Sequence, residues 1–218
     1  MDDTVEEVRI PPLDLQGLLG VPPGATGLVI FAHGSGSGRL SPRNQRVAAA
    51  LRAGGLGTLL FDLLTEEEER DRRNVFDIEL LASRVEHAIR WATYDQRTAH
   101  LPLGLFGAST GAGAALAAAS RPHTTVAAIV SRGGRPDLAG PDLAHVSAPT
   151  LLIVGGHDEP VIEMNRNAMA VMHHATVQLE IVPGATHLFE EPGTLDEVIR
   201  LATGWFQQHF RHDPVRPL

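Results

Sequence analysis

The amino-acid sequence predicts an α/β fold, a mostly parallel central sheet with helices on both faces. From about residue 26 onward, short apolar runs alternate with longer stretches of helical periodicity, the pattern that strand–helix–strand units leave in a chain. The apolar runs are nearly continuous, as in Gly27-Leu28-Val29-Ile30-Phe31-Ala32 and Thr150-Leu151-Leu152-Ile153-Val154, which suits strands covered on both sides. The 218 residues contain no internal repeat and no long linker, so a single domain over residues 1–218 is expected.

Two segments, Val5 to Ile10 and Leu13 to Leu19, are expected as an antiparallel pair ahead of this series. The first parallel strand, Gly27 to Ala32, runs into a glycine-rich loop. Residues 42–54 then carry a helical pattern, with Ser41 as its cap and Pro42 at the first position, where a missing N–H costs little. Thr58 to Phe61 is the next strand. After it comes the charged run Glu66-Glu67-Glu68-Glu69-Arg70-Asp71-Arg72-Arg73, which reads either as a partner-binding patch or as a solvated loop. A long helix over 75–94 places Ile78, Leu81, Val85, Ala88, Ile89 and Ala92 at helical spacing. Leu101 to Phe106 is the third parallel strand, with residues 110–119 helical behind it. Thr125 to Val130 and Thr150 to Val154 are the fourth and fifth. A helix near 161–172, a strand from Val177 to Val182 and a closing helix near 194–210 complete the series.

Composition removes whole classes of chemistry. There is no cysteine, which excludes disulfides, thiolate metal sites and a cysteine nucleophile. All 18 basic residues are arginine, so Schiff-base and phosphate-loop lysines are excluded too. A net charge of −8 argues against nucleic-acid binding, which needs a basic surface. No stretch approaches the roughly 20 apolar residues of a membrane helix, and none is expected. The acidic start, Met1 to Glu7, has no apolar run and predicts no export signal, hence a cytoplasmic protein. His173-His174, His209 and His212 lack the paired spacing of a zinc site, and neither a metal nor a cofactor is expected.

The strongest local signal is Gly107-Ala108-Ser109-Thr110-Gly111, which follows a strand and precedes an alanine-rich helix. A sharp strand-to-helix turn lifts a serine hydroxyl above the sheet, and flanking glycines relieve the crowding there. The pentapeptide alone also fits a plain tight turn; its position favours a nucleophile. Serine needs a base, and the base needs an acid to orient it. His187, in Pro183-Gly184-Ala185-Thr186-His187, and Asp158, in Gly155-Gly156-His157-Asp158-Glu159-Pro160, each follow a later strand. Such loops are where sites gather in open α/β sheets. Glu159 is the alternative acid. The N–H groups of Thr110 and Ser35 are expected as oxyanion donors, with Gly36 second to Ser35. The glycine-rich loop lacks the G-x-G-x-x-G and G-x-x-x-x-G-K-[ST] frames of phosphate binders. His33 reads as a strand-end residue that holds this loop rather than as a second base. Arg132 and Arg135 either hold an anionic group of the substrate, alongside Gly36 at the binding site, or lie on the surface.

Taken together, His33-Gly34-Ser35-Gly36, Gly107-Ala108-Ser109-Thr110-Gly111, Gly155-Gly156-His157-Asp158 and Gly184-Ala185-Thr186-His187 resemble the α/β-hydrolase superfamily. Within it they resemble the dienelactone hydrolase-like branch of small enzymes, over residues 26 to 210. The resemblance implies the α/β-hydrolase fold, and the short interval between Val130 and Ala148 leaves no room for a cap domain. Dienelactone hydrolases proper carry cysteine where this chain has Ser109. That departure favours an ordinary small-molecule ester and a carboxylesterase. Lactonase, dienelactone hydrolase-like and thioesterase activities use the same residues and stay open, as does a non-catalytic ligand- or partner-binding protein. The sequence leaves the oligomeric state open.

Overall fold

The apolar runs assemble into one eight-stranded sheet in the order β1-β2-β4-β3-β5-β6-β7-β8, seen in a computed structural model that describes residues 4–210. Met1 to Asp3 and the tail after Phe210 lie outside the described residues. β1 (Glu6–Ile10) and β2 (Leu15–Gly20) form the antiparallel pair, and β2 runs antiparallel to β4 (Gly57–Phe61). β3 (Leu28–Ala32), β4, β5 (Leu103–Ala108), β6 (Ala128–Arg132), β7 (Thr150–Gly155) and β8 (Val177–Val182) are parallel.

Period-two alternation divides the apolar side chains between two layers. Leu28 and Ile30 of β3, Leu105 of β5 and Ile129 of β6 pack with α3 (Ile78–Tyr94) and α4 (Thr110–Ala119). Val29 and Phe31, Phe106 and Val130 pack on the opposite face with α1 (Pro42–Ala53) and α6 (Thr194–Phe210). α1 starts as its sequence predicts, with Pro42 in the first turn and the Ser41 hydroxyl accepting from the Asn44 N–H. Every residue of α4 is buried. Its glycines and alanines allow the backbone to lie close to the sheet.

Three differences from the sequence reading matter. β6 runs from Ala128 to Arg132 rather than from Thr125 to Val130. Its register opposite Gly104 to Ala108 of β5 sets those bounds, and polar Ser131 and Arg132 hide the strand's end from an apolar-run criterion. The charged run is ordered rather than a plain loop. Thr65 and Glu68 form a reciprocal capping box around α2 (Glu66–Glu69), and Glu68 also bonds Arg84 of α3 at 2.5 Å. Between β6 and β7 stands a 3-10 segment, Pro136–His145, whose Ala139 and Leu143 are buried. No cap rises there.

The chain leaves β3 for β4 on one side and reaches β5 on the other. Loops after β3 and β5 therefore diverge, and the crevice opens at the carboxyl ends of these strands.

Candidate active site

Ser109 stands between β5 and α4 with φ +51° and ψ −121°. A non-glycine residue held there stores about 1–3 kcal/mol of strain, which the surroundings must enforce. They do so by crowding. A Cβ on Gly107 would fall 2.4 Å from Ala112 Cα, and one on Gly111 would fall 2.2 Å from the Ala32 carbonyl oxygen. The Ser109 carbonyl accepts from the N–H groups of Ala112 (3.1 Å) and Arg135 (3.0 Å), and the Ser109 N–H donates to Arg132 O at 3.3 Å.

Two loops bring partners to the hydroxyl. His187 Nε2 lies 3.3 Å from Ser109 Oγ, and His187 Nδ1 lies 2.6 Å from Asp158 Oδ2. With a carboxylate on Nδ1, that nitrogen carries the proton and Nε2 is left to accept from the serine. Asp158 occupies the N-cap of α5 (Glu159–Val171) without capping it; its side chain turns to the imidazole instead. Glu159 is exposed and makes no such contact. The structure thus joins Ser109, His187 and Asp158 and leaves Glu159 outside.

Sequence reasoning missed what steadies the His187 loop. Glu191 accepts from the Thr186 N–H (3.1 Å) and from the Thr186 hydroxyl (2.6 Å). These bonds, the Thr186 hydroxyl first, hold the Glu191 carboxyl below its ordinary pKa. Phe189 is buried with φ +54° and anchors the same turn. The only signal in the sequence was a carboxylate five residues after a threonine.

The loop after β3 is pinned at both ends. His33 is buried; its Nδ1 bonds Gly34 O at 3.0 Å, and its Nε2 accepts from the Leu63 N–H at 3.0 Å. Burial lowers its pKa and keeps it neutral. With both nitrogens engaged, His33 braces the loop and is not a second base. At the far end Arg39 forms a salt bridge with Asp62, whose Oδ1 also accepts the Arg39 N–H at 2.7 Å.

Of the expected oxyanion donors, one already has a partner. Ser35 N–H is not vacant: it donates to the Thr110 hydroxyl at 2.9 Å. The Thr110 side chain reaches the loop that its own N–H was expected to complement. Thr110 N–H, in the first turn of α4, has no intrahelical acceptor. Gly36 has φ +69° and faces open space. Arg135 pairs with Asp137 at 2.7 and 2.8 Å. Arg132 is buried rather than on the surface. Among the described residues no group of three or more His, Asp or Glu side chains is arranged to hold a metal ion, and no helix is long and apolar enough to cross a membrane.

A family model described as alpha/beta hydrolase domain matches residues 25–200. The chain belongs to the α/β-hydrolase family. A dienelactone hydrolase from Anabaena variabilis is 54% identical, with 95% of this chain and 98% of that one covered at a TM-score of 0.90. This places the chain in the dienelactone hydrolase-like branch of the α/β-hydrolases. Est1E from Butyrivibrio proteoclasticus covers 95% of this chain and 99% of its own at 14% identity and a TM-score of 0.77, which speaks for the fold alone. Proteins of two Mycobacterium tuberculosis strains, provisionally named phosphoribosyl transferases, are 59% identical over 94% of this chain. The chain spans 46% of their length.

Proposed function

We propose that this chain is a serine hydrolase that cleaves small carboxylic esters through an acyl-enzyme. The observation that carries the reading is the pair of contacts made by His187, at 3.3 Å to Ser109 Oγ and 2.6 Å to Asp158 Oδ2. A nucleophile, a base and an orienting acid in that order are what acyl transfer requires, and a non-catalytic binding protein has no need of them.

His187 Nε2 takes the hydroxyl proton as Ser109 Oγ bonds to the ester carbonyl carbon. Negative charge on the carbonyl oxygen is received by the Thr110 N–H at the start of α4 and by the Ser35 N–H. The Ser35 N–H is shared between the Thr110 hydroxyl, which holds the loop in place, and the oxyanion. The tetrahedral adduct collapses as His187 passes the proton to the departing alcohol. Water then attacks the acyl-enzyme with His187 again as base, and Ser109 Oγ leaves with the proton. Every step is a proton transfer or an acyl transfer among groups of this chain, substrate and water.

The 54% identity to a protein named dienelactone hydrolase favours lactones as a second substrate class, since a lactone is a cyclic ester opened by the same steps.

Hydrolysis of p-nitrophenyl acetate, butyrate and octanoate by the native protein and by Ser109→Ala tests the reading. Turnover that falls with acyl length and disappears in the variant is expected. Full activity in Ser109→Ala overturns it.

A further inference from the structure

β8 is the last strand of the sheet, and among the described residues no strand lies beyond it. Its neighbour β7 bonds to every second residue. The Thr150 N–H donates to Thr176 O at 2.9 Å, and the Gly156 N–H donates to Val182 O at 2.8 Å. A parallel ladder alternates, so Gln178 and Glu180 face β7 as well. The N–H and C=O groups of Val177, Leu179 and Ile181 point to the open side, where they form a template for another strand.

The two edges of the sheet differ in chemistry. β1 exposes Glu6, Glu7 and Arg9, and Arg97 holds Glu6 at 2.6 Å; charged side chains of this kind keep an edge from adding strands. β8 has one charge, Glu180, in Val177-Gln178-Leu179-Glu180-Ile181-Val182. Leu179 packs on Val154, Val161 and Ile162, and alternation puts Val177 and Ile181 on the same face, beneath α5. Ile181 is exposed there, and so are Met169 and Val171 at the end of α5.

The strand is complementary to itself in one register. A twofold axis through Leu179 sets it opposite the partner's Leu179, Val177 opposite the partner's Ile181 and Gln178 opposite the partner's Glu180. All three free residues then pair, with about six main-chain hydrogen bonds, two to each closely bonded pair. An axis through Glu180 would oppose two carboxylates and would set Pro183, which has no N–H, against Val177. An axis through Gln178 would set Ile181 against Ala175, whose N–H already donates to Met172 O.

We propose that β8 is the interface of a twofold dimer in which the sheet runs on, antiparallel, into a second copy of this chain. The axis stands perpendicular to the sheet, so both α5 helices lie on one face. Ile181 of each copy then approaches the end of the partner's α5, where apolar side chains are exposed. Strand direction reverses across the axis, and the two catalytic clefts open at opposite edges with neither covered. The contact is isologous and closes on itself.

Sedimentation equilibrium of the native protein is expected to give twice the chain mass of 23.3 kDa at micromolar concentration. A monomer there overturns the proposal. Two substitutions at exposed Gln178 act in opposite directions. Gln178→Arg sets a cation against the partner's Glu180 and is expected to tighten the dimer by about two- to thirtyfold, the worth of two cross-strand pairs. Gln178→Glu is expected to weaken it by a similar factor. Unchanged dissociation constants, or shifts in one direction, overturn the register. Leu179→Cys probes the axis itself. The native chain has no cysteine, and a closely bonded antiparallel pair holds its Cα atoms about 5.5 Å apart, within reach of a disulfide. Oxidation with copper phenanthroline is expected to link Leu179→Cys into a covalent dimer and to leave Tyr94→Cys, on exposed α3, unlinked. A Leu179→Cys protein that stays unlinked while the native chain is dimeric places the contact elsewhere and overturns the proposal.

Discussion

The Ser35 N–H donates to the Thr110 hydroxyl at 2.9 Å across 75 residues of sequence. This bond ties the loop after β3 to the turn that carries Ser109, so one side chain sets the distance between the two proposed oxyanion donors. Thr110→Val keeps the shape and removes the acceptor. Its kcat on p-nitrophenyl acetate is expected to fall about two- to tenfold, the worth of one hydrogen bond, with KM little changed. Thr110→Ser is expected to retain the native kcat. A Thr110→Val enzyme with native kcat contradicts the tether.

Asp158, not Glu159, touches His187. Asp158→Asn leaves an amide that favours the wrong imidazole tautomer, and a kcat lowered by up to about 10⁴-fold is expected, as for other triads. Glu159→Gln is expected to stay within about twofold of native, the latitude of an exposed surface change. Steady-state kinetics of the two variants side by side checks the assignment, and the reverse ranking refutes it.

Burial lowers the pKa of His33, so the unfolded chain takes up a proton near pH 6.5 that the native state refuses. Between that value and the lower native one, the unfolded state binds more protons. Stability therefore falls as pH drops below about 6.5, the unfolded value. Glu191, depressed by its Thr186 bonds, loses its contribution only at more acidic pH, below the ordinary carboxyl range. Thermal melts from pH 7 to pH 5 are expected to show a steeper loss of Tm in the native protein than in His33→Gln. Equal slopes count against a neutral His33 brace.

Gly111 has no room for a methyl group, because the atoms in the way are the backbone oxygens of Ala32 and His33 at 2.2 and 2.4 Å. Gly111→Ala is expected to cost about 3 kcal/mol, the upper end of overpacking. Denaturant unfolding measures it; a variant as stable as the native protein means that β3 and α4 can move apart.

Strands β3, β5 and β7 were legible because a strand buried on both faces writes its residues in one uncharged, largely apolar run, and the edge strand β8 was legible from its alternating run Val177-Gln178-Leu179-Glu180-Ile181. So was the order of Ser109, Asp158 and His187, since each lies a residue or a few past such a run. The pairing of Arg39 with Asp62 and of Ser35 with Thr110 was not legible. These contacts join segments 23 and 75 residues apart, and neither residue type announces its partner. Arg132 was left between surface and pocket for a related reason, and only the surface alternative is excluded by its burial. An arginine among glycines reads as a loop residue until the register of β6 against β5 draws it into the sheet.

The central claim is that Ser109 is a nucleophile activated by His187. Intact-mass analysis after reaction with a fluorophosphonate tests it most directly, because Ser109 Oγ displaces fluoride and keeps the phosphoryl group. The account predicts a single adduct on the peptide containing Ser109, absent in Ser109→Ala and strongly slowed in His187→Ala. An adduct on another residue, or none on a protein that hydrolyses esters, contradicts it.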